Sequence, residues 1–320
     1  MSEIDLWFTE KQTENMALSL RLKTALHREQ TKYQDLLLVD TYQFGRMLVL
    51  DGCIMTTEVD EFVYHEMMAH VPLFTHPNPR RVLVVGGGDG GVIREVLKHP
   101  TVEEAILAEI DERVIAVCKE YLPSISHALD DPRCKIMIGD GIEFVRQHKN
   151  AFDVIIVDST DPIGPAVGLY AKAFYRSVYE ALTEDGLFVA QTESPFVNPQ
   201  FIRDVQRRVG EVFPITTLYW AAVPTYPTGF WSITLGSKKH DPRTVDVRTR
   251  FEQLNLETKY YDPEYHRMAF HLPRFARNLT WDAQKAAMEK GIELPVGLPG
   301  MGPEKTAGAL DGTADKEEKA

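Results

Sequence analysis

A chain of 320 residues, 44% hydrophobic and 26% charged, is long enough to bury a large core without a disulfide or metal staple. Its formal net charge of −12 disfavours nucleic acid as a partner, since nucleic acid selects basic surfaces, and suits a cationic ligand. No apolar run reaches the ~18 residues of a membrane helix, and the start MSEIDLWFTEK has neither the basic nor the apolar stretch of a secretory signal. The three cysteines, Cys53, Cys118 and Cys134, form no C-x-x-C pair and read as reduced thiols of a cytoplasmic protein.

Residues 16–58 read as β-structure. Leu18, Leu20 and Leu22 alternate with polar neighbours, the period of a half-buried strand. Leu36–Val39 and Met47–Leu50 follow, with Gln43-Phe44-Gly45 and Asp51-Gly52 as hairpin turns. Residues 60–74 have helical character. The prolines at 72, 77 and 79 then break the chain, which places an N-terminal β domain at 1–75. From residue 81 short apolar runs recur at 81–85, 105–108, 135–138, 154–157 and 187–190, with helix-compatible segments between them. This is the pattern of a doubly wound α/β domain with a buried, mostly parallel sheet, expected over 76–290. Two later strands, about 215–223 and 230–237, are placed to pair antiparallel at one edge of the sheet. The segment 291–320 is rich in Gly, Pro and charge and reads as a disordered tail.

In open α/β sheets ligands bind outside the carboxyl ends of the strands. The residues that follow the first four apolar runs are therefore informative. They include Asp89 in the turn 86–91, then Glu109, Asp140 and Asp158. Four carboxylates on one rim repel one another, and a cation bound among them relieves the repulsion. Gly86, Gly88 and Gly91 fit G-x-G-x-x-G, which dinucleotide and adenosylmethionine folds share. Asp89 inside that turn opposes a pyrophosphate, which would need the positive end of a helix there. A sulfonium nucleoside has no phosphate. Asp89 would also oppose the carboxylate of adenosylmethionine and favour a donor ending in a bare amine.

The motifs Tyr33-Gln34-Asp35, Leu50-Asp51-Gly52, Asp60–Glu66, Gly86–Gly91, Glu109-Ile110-Asp111, Gly139-Asp140-Gly141, Asp158–Pro165 and Pro224–Pro227 together resemble the polyamine aminopropyltransferases, spermidine synthases most closely. The resemblance runs from about Trp7 to about residue 280. It implies a β-rich N-terminal domain, a Rossmann-like catalytic domain and a homodimer or homotetramer. It also implies the transfer of an aminopropyl group from decarboxylated S-adenosylmethionine, a co-substrate, to putrescine, with no cofactor and no metal. Gln34, Glu109, Asp140, Gly141 and Pro165 would hold the methylthioadenosine part, and Asp89 the aminopropyl nitrogen. Tyr64, His65, Asp161 and Tyr226 would line the polyamine channel, and Asp158 would be the catalytic base.

The donor's electrophile is a carbon bonded to a sulfonium, and its leaving group is neutral. The acceptor is the harder partner. A primary amine with a pKa of about 10.4 is nearly all ammonium at neutral pH and has no lone pair to attack with. An ordinary Asp is a poor thermodynamic match for that proton. A small-molecule methyltransferase and a non-catalytic adenosine binder are alternatives on the same fold. Cadaverine, agmatine or a longer polyamine are alternative acceptors.

Overall fold

The computed structural model describes residues 5–160 and 164–296. Five strands form the first sheet: β1 (Leu6–Lys11), β2 (Ala17–Gln30), β3 (Asp35–Thr41), β4 (Gly45–Leu50) and β5 (Cys53–Thr57). They pair antiparallel in chain order. The four consecutive apolar residues of β3 make sense because both faces of the sheet are covered. Leu36 and Leu38 point with Leu48 and Leu50 toward the helix Glu112–Tyr121. Val39 points the other way, with Leu20, Met47, Val49 and Ile54. Asp51 and Gly52 both take positive φ, 49° and 81°, between the paired Leu50 and Cys53. That is the two-residue hairpin the Asp-Gly pair suggests.

The second sheet holds seven strands. They are β6 (Arg81–Gly86), β7 (Glu104–Glu109), β8 (Cys134–Ile138), β9 (Phe152–Asp158), β10 (Leu182–Gln191), β11 (Ile215–Ala221) and β12 (Trp231–Ser237). Their order is β11-β12-β10-β9-β6-β7-β8. The expected Rossmann-like architecture is present. β6 to β10 run parallel, and β12 and β11 add to β10 as an antiparallel pair that ends one edge. Val82–Val85 and Val154–Val157 are buried on both faces, as a covered parallel sheet requires. β8 departs from that pattern. It is the other edge strand, and its Ile136 and Ile138 are 37% and 47% exposed.

Helix α1 (Glu61–Thr75) follows the first sheet in the chain. Its Val63, Met67, Met68, Val71 and Phe74 are buried in the same cluster as Val82, Val84, Val154 and Ile156 of the second sheet. The helix stops at His76, whose extended backbone (φ −73°, ψ 131°) is what a residue before proline prefers. From β6 the chain winds to β7 and β8 on one side and to β9 and β10 on the other. The crevice of such a sheet opens at that reversal, between the carboxyl ends of β6 and β9.

Candidate active site

At the reversal, Gly86 at the end of β6 lies opposite Asp158 at the end of β9. The glycines of the turn let the two strand ends come close. A Cβ on Gly87 would sit 2.4 Å from the Asp158 carboxylate. Around this point is a cavity of about 380 Å³, whose wall includes Gln34, Tyr64, His65, Asp89, Glu109, Asp140, Gly141, Asp158 and Tyr226. Asp161 lies outside the described residues, as does the side chain of Pro165.

The four strand-end acids share this wall, but their surroundings differ. The Asp158 carboxylate accepts a hydrogen bond from the Tyr64 hydroxyl at 2.7 Å. Burial, and then the nearby Asp89 charge, push its pKa up to about 6, while His65 and the Tyr64 hydroxyl pull the other way. Burial also opposes the charge on Asp89. The His65 imidazolium and the Gly91 amide more than offset it and hold Asp89 below the usual carboxylate range. Asp89 Oδ1 accepts from the Gly91 N–H at 2.7 Å, at the start of helix α2 (Gly91–Leu97). The carboxylate thus occupies the helix start where a phosphate would otherwise bind. Asp89 also faces the cavity, as the argument for an amine-ended donor requires.

Glu109 sits deeper, against the glycine turn. It accepts from Gly88 N–H at 3.1 Å and Asp111 N–H at 2.9 Å, and burial raises its pKa to about 7 despite these bonds. Asp140 is exposed at the rim, where it caps the helix Gly141–Arg146 by accepting from Ile142 N–H at 2.8 Å. Gln34 comes from the turn between β2 and β3. Its Nε2 donates to Asp111 Oδ2 at 2.9 Å, and the Thr31 hydroxyl donates to the same oxygen at 2.7 Å. Asp111 therefore fixes Gln34 beside Glu109. Its partner lies 77 residues away in the chain, so no local pattern announces this role.

Tyr64 and Tyr226 form an aromatic wall. Their ring centroids are 5.6 Å apart, and Trp231 meets Tyr226 edge-on at 4.8 Å. The Tyr226 hydroxyl donates to Met55 O at 2.7 Å, which joins the loop after β11 to β5 of the first sheet. Glu10 of β1 also reaches the wall, 6% exposed, and the sequence reading assigns it nothing. His65 is only 2% exposed. One ring nitrogen faces Glu61 at 2.5 Å and the other faces Asp89 at 3.5 Å. The Glu61–His65 spacing of four residues on a helix is the one signal in the sequence that could have shown this pair.

Comparison with known proteins places the chain in a family. Residues 61–247 match the family model described as spermine/spermidine synthase domain, and residues 6–58 match the spermidine synthase tetramerisation domain. The polyamine aminopropyltransferase of Clostridium kluyveri is 57% identical over 277 residues, covering 87% of this chain and all of the relative. That of Thermoanaerobacter sp. (strain X514) is 59% identical over 276 residues, covering 86% and 99%. A crystal structure of spermidine synthase in complex with the transition state analogue AdoDATO superposes with a TM-score of 0.84 at 46% identity, covering 86% of this chain and 94% of that one. Spermidine synthase from Thermotoga maritima gives 0.81 at 44% identity, with coverage of 86% and 93%. The chain belongs to the spermine/spermidine synthase family of polyamine aminopropyltransferases.

Proposed function

We propose that this cavity carries out the family's aminopropyl transfer with Asp158 as proton acceptor, Asp89 as the anchor for the donor's amine and Glu109 as the ribose site. The reaction takes decarboxylated S-adenosylmethionine and putrescine to spermidine and methylthioadenosine. The observation that carries the assignment is the pairing of two carboxylates, buried Asp89 in the glycine turn after β6 and half-buried Asp158 at the end of β9, beside the Tyr64–Tyr226 wall. The wall suits an alkyl chain with ammonium ends, by packing and cation–π contact.

The acceptor nitrogen attacks the donor carbon bonded to sulfur. A C–N bond forms, the C–S bond breaks, and its electrons neutralise the sulfonium. The attacking lone pair is free only once the acceptor ammonium has given a proton to Asp158, and the new secondary nitrogen leaves the site as the product's ammonium. A carboxylate whose pKa has risen to about 6 is a better acceptor than an ordinary Asp. The remaining gap to an amine near 10.4 is offset by alignment of the amine on the carbon and by the nearby sulfonium, which disfavours a second cation.

Gln34, Asp140, Gly141 and Pro165 complete the nucleoside site in this reading. Tyr64, His65, Asp161 and Tyr226 belong to the polyamine side, and Glu10 is placed to meet the far amine. The β1 edge exposes Leu6 and Trp7, 50% and 55%, which suits a homo-oligomer built on the first sheet. No helix among the described residues is long and apolar enough to cross a membrane, and Cys53, Cys118 and Cys134 are free thiols. A cytoplasmic location fits both facts.

The test is incubation with putrescine and either decarboxylated or intact adenosylmethionine. Spermidine and methylthioadenosine from the decarboxylated donor alone are expected. Formation of S-adenosylhomocysteine from the intact donor would replace this reading with methyl transfer.

A further inference from the structure

Behind His65 and Asp89 stand two buried charges, Glu61 and Arg94, that the proposed reaction does not use. The Arg94 guanidinium grips Glu61 with two bonds, Nη1 to Oε1 at 3.0 Å and Nη2 to Oε2 at 2.7 Å. Glu61 Oε2 holds His65 Nδ1 at 2.5 Å, and His65 Nε2 faces Asp89 Oδ1 at 3.5 Å. Glu61 is 7% exposed and His65 2%. The ring has no room to turn away, because a Cβ on Gly91 would lie 2.1 Å from His65 Cε1. The third glycine of the G-x-G-x-x-G turn therefore serves the histidine's seat. Arg94 also bonds Glu95 Oε1 at 2.8 Å, which fixes the guanidinium on α2.

We infer that Glu61, clamped by Arg94, is a positioning residue: it keeps His65 doubly protonated and aimed at Asp89, so that Asp89 meets the donor's amine in one fixed orientation. This rests on the assignment of Asp89 to the donor's amine. A neutral His65 has a single N–H. Bonded to Glu61, that N–H leaves the other nitrogen with a lone pair facing the Asp89 carboxylate, and the two repel. Only the imidazolium donates on both sides. The charged and titratable groups around the ring are Glu61 and Tyr64 from its own helix, Asp89 from the glycine turn and Asp158 from β9, with Arg94 of α2 behind Glu61. Burial alone would discharge the ring. Asp89 and Glu61 outweigh that and raise its pKa to about 10. A cation held between two carboxylates also lets Asp89 and Asp158 stay ionised side by side before substrate arrives. Without it the two acids would share a proton.

The experiment uses the full chain labelled with ¹⁵N-histidine and compares Glu61→Gln, Arg94→Gln and Arg94→Lys with the wild type. At about pH 8, wild-type His65 is expected to show both ring nitrogens protonated, and Glu61→Gln to show a neutral ring. The donor KM should rise about tenfold or more in Glu61→Gln, and by clearly more than the putrescine KM, whose channel His65 also lines. Arg94→Gln should follow Glu61→Gln, and Arg94→Lys, which keeps a cation on Glu61, should recover part of the loss. A doubly protonated His65 in Glu61→Gln, or donor and acceptor KM rising together, overturns the inference. If Glu61→Gln does not fold, Arg94→Gln and Arg94→Lys carry the same two readouts. Asp89→Asn is measured alongside. An unchanged donor KM in that variant removes the Asp89 assignment, while the ring spectrum of Glu61→Gln still reports on the positioning.

Discussion

At the scale of single residues, the site turns on carboxylates made unlike by their surroundings. Asp158→Asn is expected to lower turnover by at least about 100-fold with donor affinity little changed, because the amide cannot take the proton. Stopped-flow turnover and calorimetric donor binding check both halves. The pH dependence follows from the same residue. In its proposed role Asp158 must be ionised, and in the free enzyme its pKa has risen to about 6. The donor kcat/KM should therefore fall as pH drops through about 6. Bound sulfonium and ammonium stabilise the carboxylate, so the acidic limb of kcat should lie at lower pH. On the alkaline side the single-turnover rate should climb through about pH 7–9, as more of the acceptor becomes free amine. A flat profile there would mean that the closed pocket already holds a neutral amine. Asp89→Asn, in turn, should bring the affinities for carboxylated and decarboxylated donors together, since the anion that rejects the carboxylate is gone. An unchanged ratio in calorimetry would assign that exclusion to another residue.

At the scale of elements, what was legible in the sequence is what depends on near neighbours. The Asp51-Gly52 hairpin, the five parallel strands, and the Asp158 and Glu109 strand ends could all be read from local patterns. What was missed depends on residues distant in the chain. Glu61 reads as an acid at a helix start, and its Arg94 partner lies 33 residues on. Asp60 reads the same way, yet its buried carboxylate turns away from the helix start. It accepts from the Thr225 N–H at 3.0 Å and the Thr225 hydroxyl at 2.7 Å, 165 residues away. These bonds pin the start of α1 to the loop carrying Tyr226. Asp60→Ala leaves the Thr225 amide without a buried partner and should cost about 1–3 kcal/mol. Urea unfolding should show that loss, and the putrescine KM should rise because Tyr226 follows Thr225. Loss of stability without a change in KM would separate the anchor from the wall. The half-exposed β8 was illegible for a different reason: its apolar run looks like the buried strands, and its edge position is set by the strand order alone.

For the whole molecule, the site belongs to both sheets. Gln34 and Glu10 come from the first, the acids from the second, and the Tyr226 to Met55 bond joins them across the cavity. By contrast, residues 297–320 lie beyond both family matches, the later of which ends at residue 247. Removing them should leave turnover and oligomeric mass unchanged, as kinetics and light scattering would show. A cut before Leu294 should be less benign, since Arg203 donates to the Leu294 carbonyl at 3.0 Å. Adenosine is the common handle of ATP, NAD and coenzyme A, all of which would compete for any pocket that recognises the nucleoside alone. With the Asp89 carboxylate seated on the start of α2, each of those molecules must bring an anion against an anion. In the proposed role of Asp89, the nucleoside site stays open to a sulfonium and turns phosphorylated adenylates away, by a charge already paired inside the protein and needing no moving part.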